Sequence, residues 1–144
     1  VGQSMTALTA CRTSDAQVDA VRDLMNSVGR TILIDEDYFP VFQALASCSP
    51  AWYFQIIDTF ARAGLKYGLS KDNAVEIAAQ AMAGAATLLL AEREAGTIPA
   101  QLIDRVTSPG GTTIAGLLAA EEGGLSNALV GAVDASIHAD SHLG

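Results

Sequence analysis

Residues 49–96 read "SPAWYFQIIDTFARAGLKYGLSKDNAVEIAAQAMAGAATLLLAEREAG", and this stretch decides the fold class. Trp52, Ile56, Phe60, Ala63 and Tyr67 recur at helical spacing, which places them on one stripe. Ser49 followed by Pro50 has the chemistry of a helix N-cap and first helical position, and Gly68 stands where that helix would stop. Ser70 then caps a second helix, which runs to about Ala95 and stops at Gly96. Its centre, "AAQAMAGAATLLLA", is rich in alanine and carries Gly84. Small side chains let a second backbone approach closely, so this reads as a central packing helix.

Toward the N-terminus the pattern changes. Met5 to Thr9 is a strand candidate, and "TSDAQVDAVRDLMNSVG" (Thr13–Gly29) reads as a helix with capping-box spacing at Ser14 and Gln17. Val18, Val21, Leu24, Met25 and Val28 fall on one face, and Gly29 marks the expected end. "RTILID" (Arg30–Asp35) alternates as a short strand. Residues 1–36 therefore spell strand, helix, strand, the tail of an α/β unit that cannot bury enough surface alone. The chain opens at Val1 inside a patterned segment, which reads as a cut edge. Asp37 to Ala46 is expected to be a short helix.

Toward the C-terminus, Thr97 and Pro99 start a short helix ending near Val106. Beyond a glycine-rich loop come "TTIAGLLAAEE" (Thr112–Glu122), Gly123-Gly124 and "SNALVGAVDASIHA" (Ser126–Ala139), and the last six residues read as a frayed tail.

Composition agrees with a mainly α chain. Half of the 144 residues are apolar but only 6% are aromatic, so the apolar content is chiefly Ala, Leu, Val and Ile, which favours close-packed helices. A mean hydropathy of +0.30 is high for a small monomer and points to surface buried between subunits. A net charge of −8 with pI near 4.4 argues against nucleic-acid or anionic-membrane partners. The greasiest stretch, Ile77 to Ala91, contains Gln80 and reads as a buried helix too short to span a bilayer. Cys11 and Cys48 lack metal-ligand spacing and read as reduced, buried thiols of a cytoplasmic protein.

The chemistry concentrates in "DRVTSPGGTTIAG", Asp104 to Gly116. A helix beginning near Thr112 or Thr113 presents unpaired N–H groups and the positive end of its dipole. Gly110 and Gly111 allow close backbone approach, while Ser108, Thr112 and Thr113 add hydroxyls. Such an ensemble suits a carboxylate or a phosphate; an over-capped interhelical turn is the alternative, and the pattern leaves both open. His138 and His142 have a zinc-compatible spacing but no third ligand, so no metal is expected. Glu92, Arg93 and Glu94 read as a solvated helix end, as do Glu121 and Glu122.

The run "VTSPGGTTIAGLLAAEEGG" resembles the signature of the pyrroline-5-carboxylate reductases. Residues 44–90, with their Ser-Pro-Ala turn, Ala-Gly-x-x-x-Gly-Leu helix end and Ala-rich helix, are similar to the same family, as is "PAQLIDRV". The likeness covers roughly residues 36–136. It implies a mainly α fold: an all-helical intertwined dimerisation and substrate-binding domain over residues 37–144, of the 6-phosphogluconate dehydrogenase C-terminal type. Residues 1–36 are then a β-α-β remnant of a dinucleotide-binding domain.

The activity implied is the NAD(P)H-dependent reduction of 1-pyrroline-5-carboxylate to L-proline by a homodimer or higher oligomer. With most of the NADPH or NADH site expected to be absent, no cofactor-binding residue is assigned, and the chain alone is expected to be inactive. Matched to the family's motif, Ser108, Gly110, Gly111, Thr112 and Thr113 would bind the substrate carboxylate, with Thr113 also near the imine nitrogen as the catalytic assignment. Many members have Ser-Gly-Ser-Gly-Pro-Ala where Ala46-Ser47-Cys48-Ser49-Pro50-Ala51 stands here, a departure in a turn that lies near the nicotinamide in the family. Glu94 lies near, without clearly matching, an acidic residue that approaches the substrate in some members. Two other readings stay open: a non-catalytic helical dimerisation module of the same fold, and a reductase acting on a different imine or keto acid.

Overall fold

The computed structural model describes residues 1–142. Its contacts divide the chain into two units: residues 1–50 with the chain from Val130 onward, and residues 51–129.

In the first unit the alternating segments become strands β1 (Ser4–Leu8) and β2 (Gly29–Leu33). They pair in parallel from Ser4↔Gly29 to Leu8↔Leu33. Helix α1 (Asp15–Asn26) connects them. The expected cap is present: the Gln17 side-chain oxygen accepts from the Ser14 N–H at 3.0 Å and from its hydroxyl at 3.1 Å. Gly29 does not end the helix, since Ser27 occupies the C-cap. A Cβ on Gly29 would lie 2.0 Å from the Ser4 carbonyl oxygen, so the close approach of β1 is what requires glycine here. On the expected apolar face of α1, Val18 is buried while Val21, Leu24 and Val28 are exposed.

The segment after β2 departs from the sequence reading. A 3-10 turn (Glu36–Tyr38) leads into α2 (Phe39–Phe42), then a π-helical stretch (Gln43–Cys48) that runs directly into α3 (Ser49–Lys66). Ser49 is therefore not an N-cap, and Ala46 to Ser49 is not a turn. The cause is local. Pro50 has no N–H to offer the Ala46 carbonyl, which disrupts the regular ladder. Widening the helix lets the Ser49 N–H donate to the Ala44 carbonyl. The buried Ser49 hydroxyl donates to the Leu45 carbonyl at 2.6 Å. Helix α7 (Leu125–Asp140) enters this unit from Val130 and takes in Ala139 and Asp140, the first two residues of the expected frayed tail, before a turn at Ser141 and His142. The final two residues of that expected tail lie outside the described residues.

In the second unit α3 ends as its sequence predicts. Gly68 has φ +93°, the Leu69 N–H donates to the Gly64 carbonyl at 3.1 Å and the Gly68 N–H to the Leu65 carbonyl at 3.0 Å, a Schellman motif. Ser70 caps α4 (Lys71–Glu92), accepting from the Asn73 N–H at 3.3 Å. The two helices meet through small residues. A Cβ on Gly64 would lie 2.9 Å from that of Ala74, and Ala61 and Ala74 are both buried. Asp58 on α3 accepts from Lys71 at the start of α4 and from Arg62 Nε at 2.6 Å. Beyond α4 and a 3-10 turn (Arg93–Ala95) come α5 (Pro99–Val106), α6 (Thr112–Glu122) and the first turns of α7.

Two expectations about burial are corrected. With its terminal 3-10 turn, α4 forms a 25-residue helix, Lys71–Ala95, whose apolar window has mean hydropathy 1.6. By length and composition it could cross a membrane, because the helix extends past both ends of the Ile77–Ala91 core. Nor is it buried: only 6% of that window is covered within the chain. Cys11 is exposed and Cys48 half-buried, both as free thiols.

The chain as a whole exposes 10624 Å². Two separate compact bodies sharing its 14.9 kDa would expose about 8,500 Å². The excess of about 2,000 Å² is of the size each protomer buries in an obligate dimer. Phe54, Phe60, Leu118 and Val130 are among its exposed apolar side chains.

Candidate functional site

Helix α5 delivers the chain to the candidate loop. Its start is fixed by Gln101, whose side-chain oxygen accepts from the Ile98 N–H at 3.0 Å; Ile98, rather than Thr97, holds the cap position. Its end is fixed by Thr107, whose hydroxyl donates back to the Ile103 carbonyl at 3.0 Å. The chain then turns through Ser108-Pro109-Gly110-Gly111, closed by the Gly111 N–H donating to the Ser108 carbonyl at 3.0 Å. Pro109 presets φ at the second position and Gly110 takes φ +68° at the third, the residue pair of a type II turn. Gly111 has no such positive φ; its constraint is steric, since a Cβ there would lie 2.3 Å from the Ser108 hydroxyl oxygen.

Gly111 is also the N-cap residue of α6, and having no side chain it makes no cap hydrogen bond. The first-turn N–H groups of Thr112, Thr113 and Ile114 therefore have neither an intrahelical acceptor nor a cap. The Ala115 N–H is the first to bond back, to the Gly111 carbonyl at 3.4 Å. These donors and the helix dipole make a positive end on an 11-residue helix. Ser108, Gly110, Thr112 and Thr113 are exposed and Gly111 is half-buried. The structure thus brings the residues singled out in the sequence into one turn and the helical turn after it. Chemically, such a place can receive an anion through main-chain donors, with hydroxyls beside them.

What the sequence reading missed is the fastening behind the loop. Glu92, expected to be part of a solvated helix end, is half-buried. One of its carboxylate oxygens accepts from the Thr97 hydroxyl at 3.1 Å and from Arg105 Nη1 at 2.6 Å. The hydrogen bond from Arg105, helped by that from Thr97, holds the Glu92 carboxyl below its ordinary pKa. The signal lay in a Glu–Arg pair 13 residues apart across a Pro-started helix, a separation at which no helical spacing rule operates. Glu94 is exposed on the 3-10 turn, as are Glu121 and Glu122 at the end of α6. His138 and His142 stack edge to face with ring centroids 4.5 Å apart. Among the described residues no group of His, Cys, Asp and Glu is arranged to hold a metal ion.

The residues of β1, α1 and β2 do not by themselves fit a dinucleotide. Where a phosphate-cradling turn would follow β1 stand Thr9-Ala10-Cys11-Arg12-Thr13, without a glycine.

A two-stranded parallel β-α-β unit followed by helices that leave most of their apolar surface uncovered defines the class: a mainly helical chain opening on a short parallel sheet. The sequence model described as pyrroline-5-carboxylate reductase dimerisation matches residues 36–143, and the chain belongs to that family. It is 41% identical over 118 residues to a pyrroline-5-carboxylate reductase of Treponema pallidum, covering 82% of this chain and 44% of that protein. Among solved structures it is similar to a pyrroline-5-carboxylate reductase from Coxiella burnetii, with TM-score 0.91, 30% identity, and 99% of this chain and 53% of that one covered. It is also similar to a pyrroline carboxylate reductase of Plasmodium falciparum with NADP bound, with TM-score 0.80, 26% identity and coverage of 96% and 53%. The chain spans about half the length of the curated relatives it matches.

Proposed function

We propose that this chain is the substrate-binding and subunit-pairing part of a cytoplasmic pyrroline-5-carboxylate reductase, which reduces 1-pyrroline-5-carboxylate to L-proline. The observation that carries the reading is the uncapped start of α6 behind the Ser108–Gly111 turn, in a chain of this family. The substrate carboxylate sits against the N–H groups of Thr112 and Thr113, with Ser108, Gly110 and Gly111 shaping the approach. The Thr113 hydroxyl hydrogen-bonds near the imine nitrogen and orients the ring. NADPH or NADH supplies the hydride when bound, a reading supported by the similar reductase solved with NADP. Residues 1–36 are the end of that dinucleotide-binding domain, and residues 37–144 the helical domain.

Such a reaction asks the protein mainly for orientation and charge neutralisation, because the C=N carbon is already electrophilic. The loop needs no His or Lys base for that. The uncovered faces of α3, α4 and α6 are closed by a second copy of the chain, a reading supported by the family's description and by the excess exposed area. A membrane is the less fitting cover for α4, whose sequence mixes Gln80 with a run of Ala and Gly suited to helix packing.

Calorimetric titration with proline, a stable stand-in for the substrate, tests the site. Wild type is expected to bind, and Gly111→Val, which drives a side chain into Ser108, to lose at least about tenfold in affinity. Equal binding by both would remove the loop from the site. Absence of proline binding in wild type would favour the non-catalytic pairing module. The isolated chain mixed with NADPH and 1-pyrroline-5-carboxylate is expected to leave the nicotinamide absorbance unchanged; turnover would contradict the placement of the cofactor site.

A further inference from the structure

The segment that enters the Ser108–Gly111 turn is held at both ends by one carboxylate. Glu92, the last residue of α4, accepts from Thr97 just before α5 and from Arg105 in the last turn of α5. Both contacts fall on the same oxygen, so the helix cannot swing about its start without breaking the second. Little slack separates Arg105 from the loop. Thr107 is folded back onto the Ile103 and Asp104 carbonyls at 3.0 and 3.3 Å, and Ser108 follows at once.

We propose that Glu92 and Arg105 are positioning residues for substrate binding: through α5 they place the Ser108 carbonyl, and with it Gly111 and the first-turn N–H groups of α6. The inference rests on the reading of that loop as the substrate seat. Neither residue belongs to the turn, and the hydrogen bonds they make reach it by way of α5. The side chains of Arg105 and Glu92 are 55% and 30% exposed. Ion pairs this wet add little to global stability, whereas displacing an oriented donor by a fraction of its bond length is costly to binding and rate. The pair is thus expected to matter more for ligand geometry than for folding.

The test is steady-state kinetics on the full-length reductase carrying Arg105→Met, Arg105→Lys, Glu92→Gln or Glu92→Gln with Arg105→Met, together with amide hydrogen exchange. Arg105→Met is expected to raise the KM for 1-pyrroline-5-carboxylate about tenfold while leaving the KM for NAD(P)H and the melting temperature unchanged. Exchange at Gly111 and Ala115, whose N–H groups are bonded within the loop and the first turn, is expected to quicken without change in α4. Arg105→Lys, which keeps a donor, restores most of the affinity. The double variant is no worse than the worse single one, because both break the same contact. An unchanged substrate KM in Arg105→Met overturns the proposal. So does an equal rise in both KM values with a lowered melting temperature, which is the mark of a merely structural role. Failure of the wild-type enzyme to reduce 1-pyrroline-5-carboxylate overturns the substrate reading instead; quickened exchange at Gly111 and Ala115 in Arg105→Met then still upholds the clasp on the loop, and unchanged exchange sinks that too.

Discussion

Along α4 only Ala74 is buried, whereas the Ser108–Gly111 turn is closed by contacts drawn from its own neighbourhood. Most of the helix's apolar surface is left uncovered by the described residues. The turn has a cis-acting set of constraints: Pro109, the positive φ of Gly110, the Gly111 N–H bonded to Ser108, and the anchor of Thr107. Ligand geometry and stability are thus encoded at different distances along the chain. The candidate seat is specified by residues close in sequence and by one clasp, while the apolar surface of the helices is largely uncovered within the chain.

The strongest way to break that contrast is to charge the uncovered face. Phe60, Ile77 and Met82 line an apolar hollow between α3 and α4, and Ile77 is 58% exposed in the single chain. Burying an isoleucine contributes about 1.5–3 kcal/mol, and a carboxylate in its place adds a desolvation cost. Ile77→Asp is therefore expected to weaken self-association by about a hundredfold or more, read by sedimentation equilibrium. Unchanged association would place the pairing surface elsewhere. The Gly111→Val change comes next, expected to act on proline affinity while leaving association intact, which separates the two regions cleanly.

The smallest effect is acid sensitivity. The hydrogen bond from Lys71, then that from Arg62, holds the Asp58 carboxyl below its ordinary pKa, and Glu92 is lowered in the same direction. A carboxyl whose folded pKa is depressed stabilises the fold above its unfolded pKa, and that contribution is lost as pH falls through the folded value. Melting temperature should thus decline as pH drops through and below the ordinary carboxylate range, with a shallower decline in Asp58→Asn. Because these groups face water the difference is expected to be small and to shrink in high salt. An Asp58→Asn variant with the same acid limb as wild type would remove that ion pair from the account.

Much of the local structure was legible because its causes are local. The Ser14–Gln17 cap, the Ser70 cap and the positive φ of Gly68 and Gly96 each follow from residues within one turn. The loop was legible for the same reason. Ser49-Pro50 misled because that pair reads as a helix start, and only the π-helical widening behind it lets the helix run through. Gly29 misled because its constraint comes from Ser4 across the sheet rather than from its own helix. Glu92 was hidden by the 13 residues separating it from Arg105. The burial of α4 was overestimated because hydrophobic periodicity says that a face must be covered, never by which chain.

In the proposed site the uncapped N–H groups at the start of α6 receive a carboxylate. The most direct test is the shift of individual backbone amide resonances as proline is titrated into the chain. Saturable shifts are expected at Thr112, Thr113 and Ile114, with the amides along α4 unmoved. Saturable shifts confined to other segments, with those three amides silent, would contradict that placement of the carboxylate.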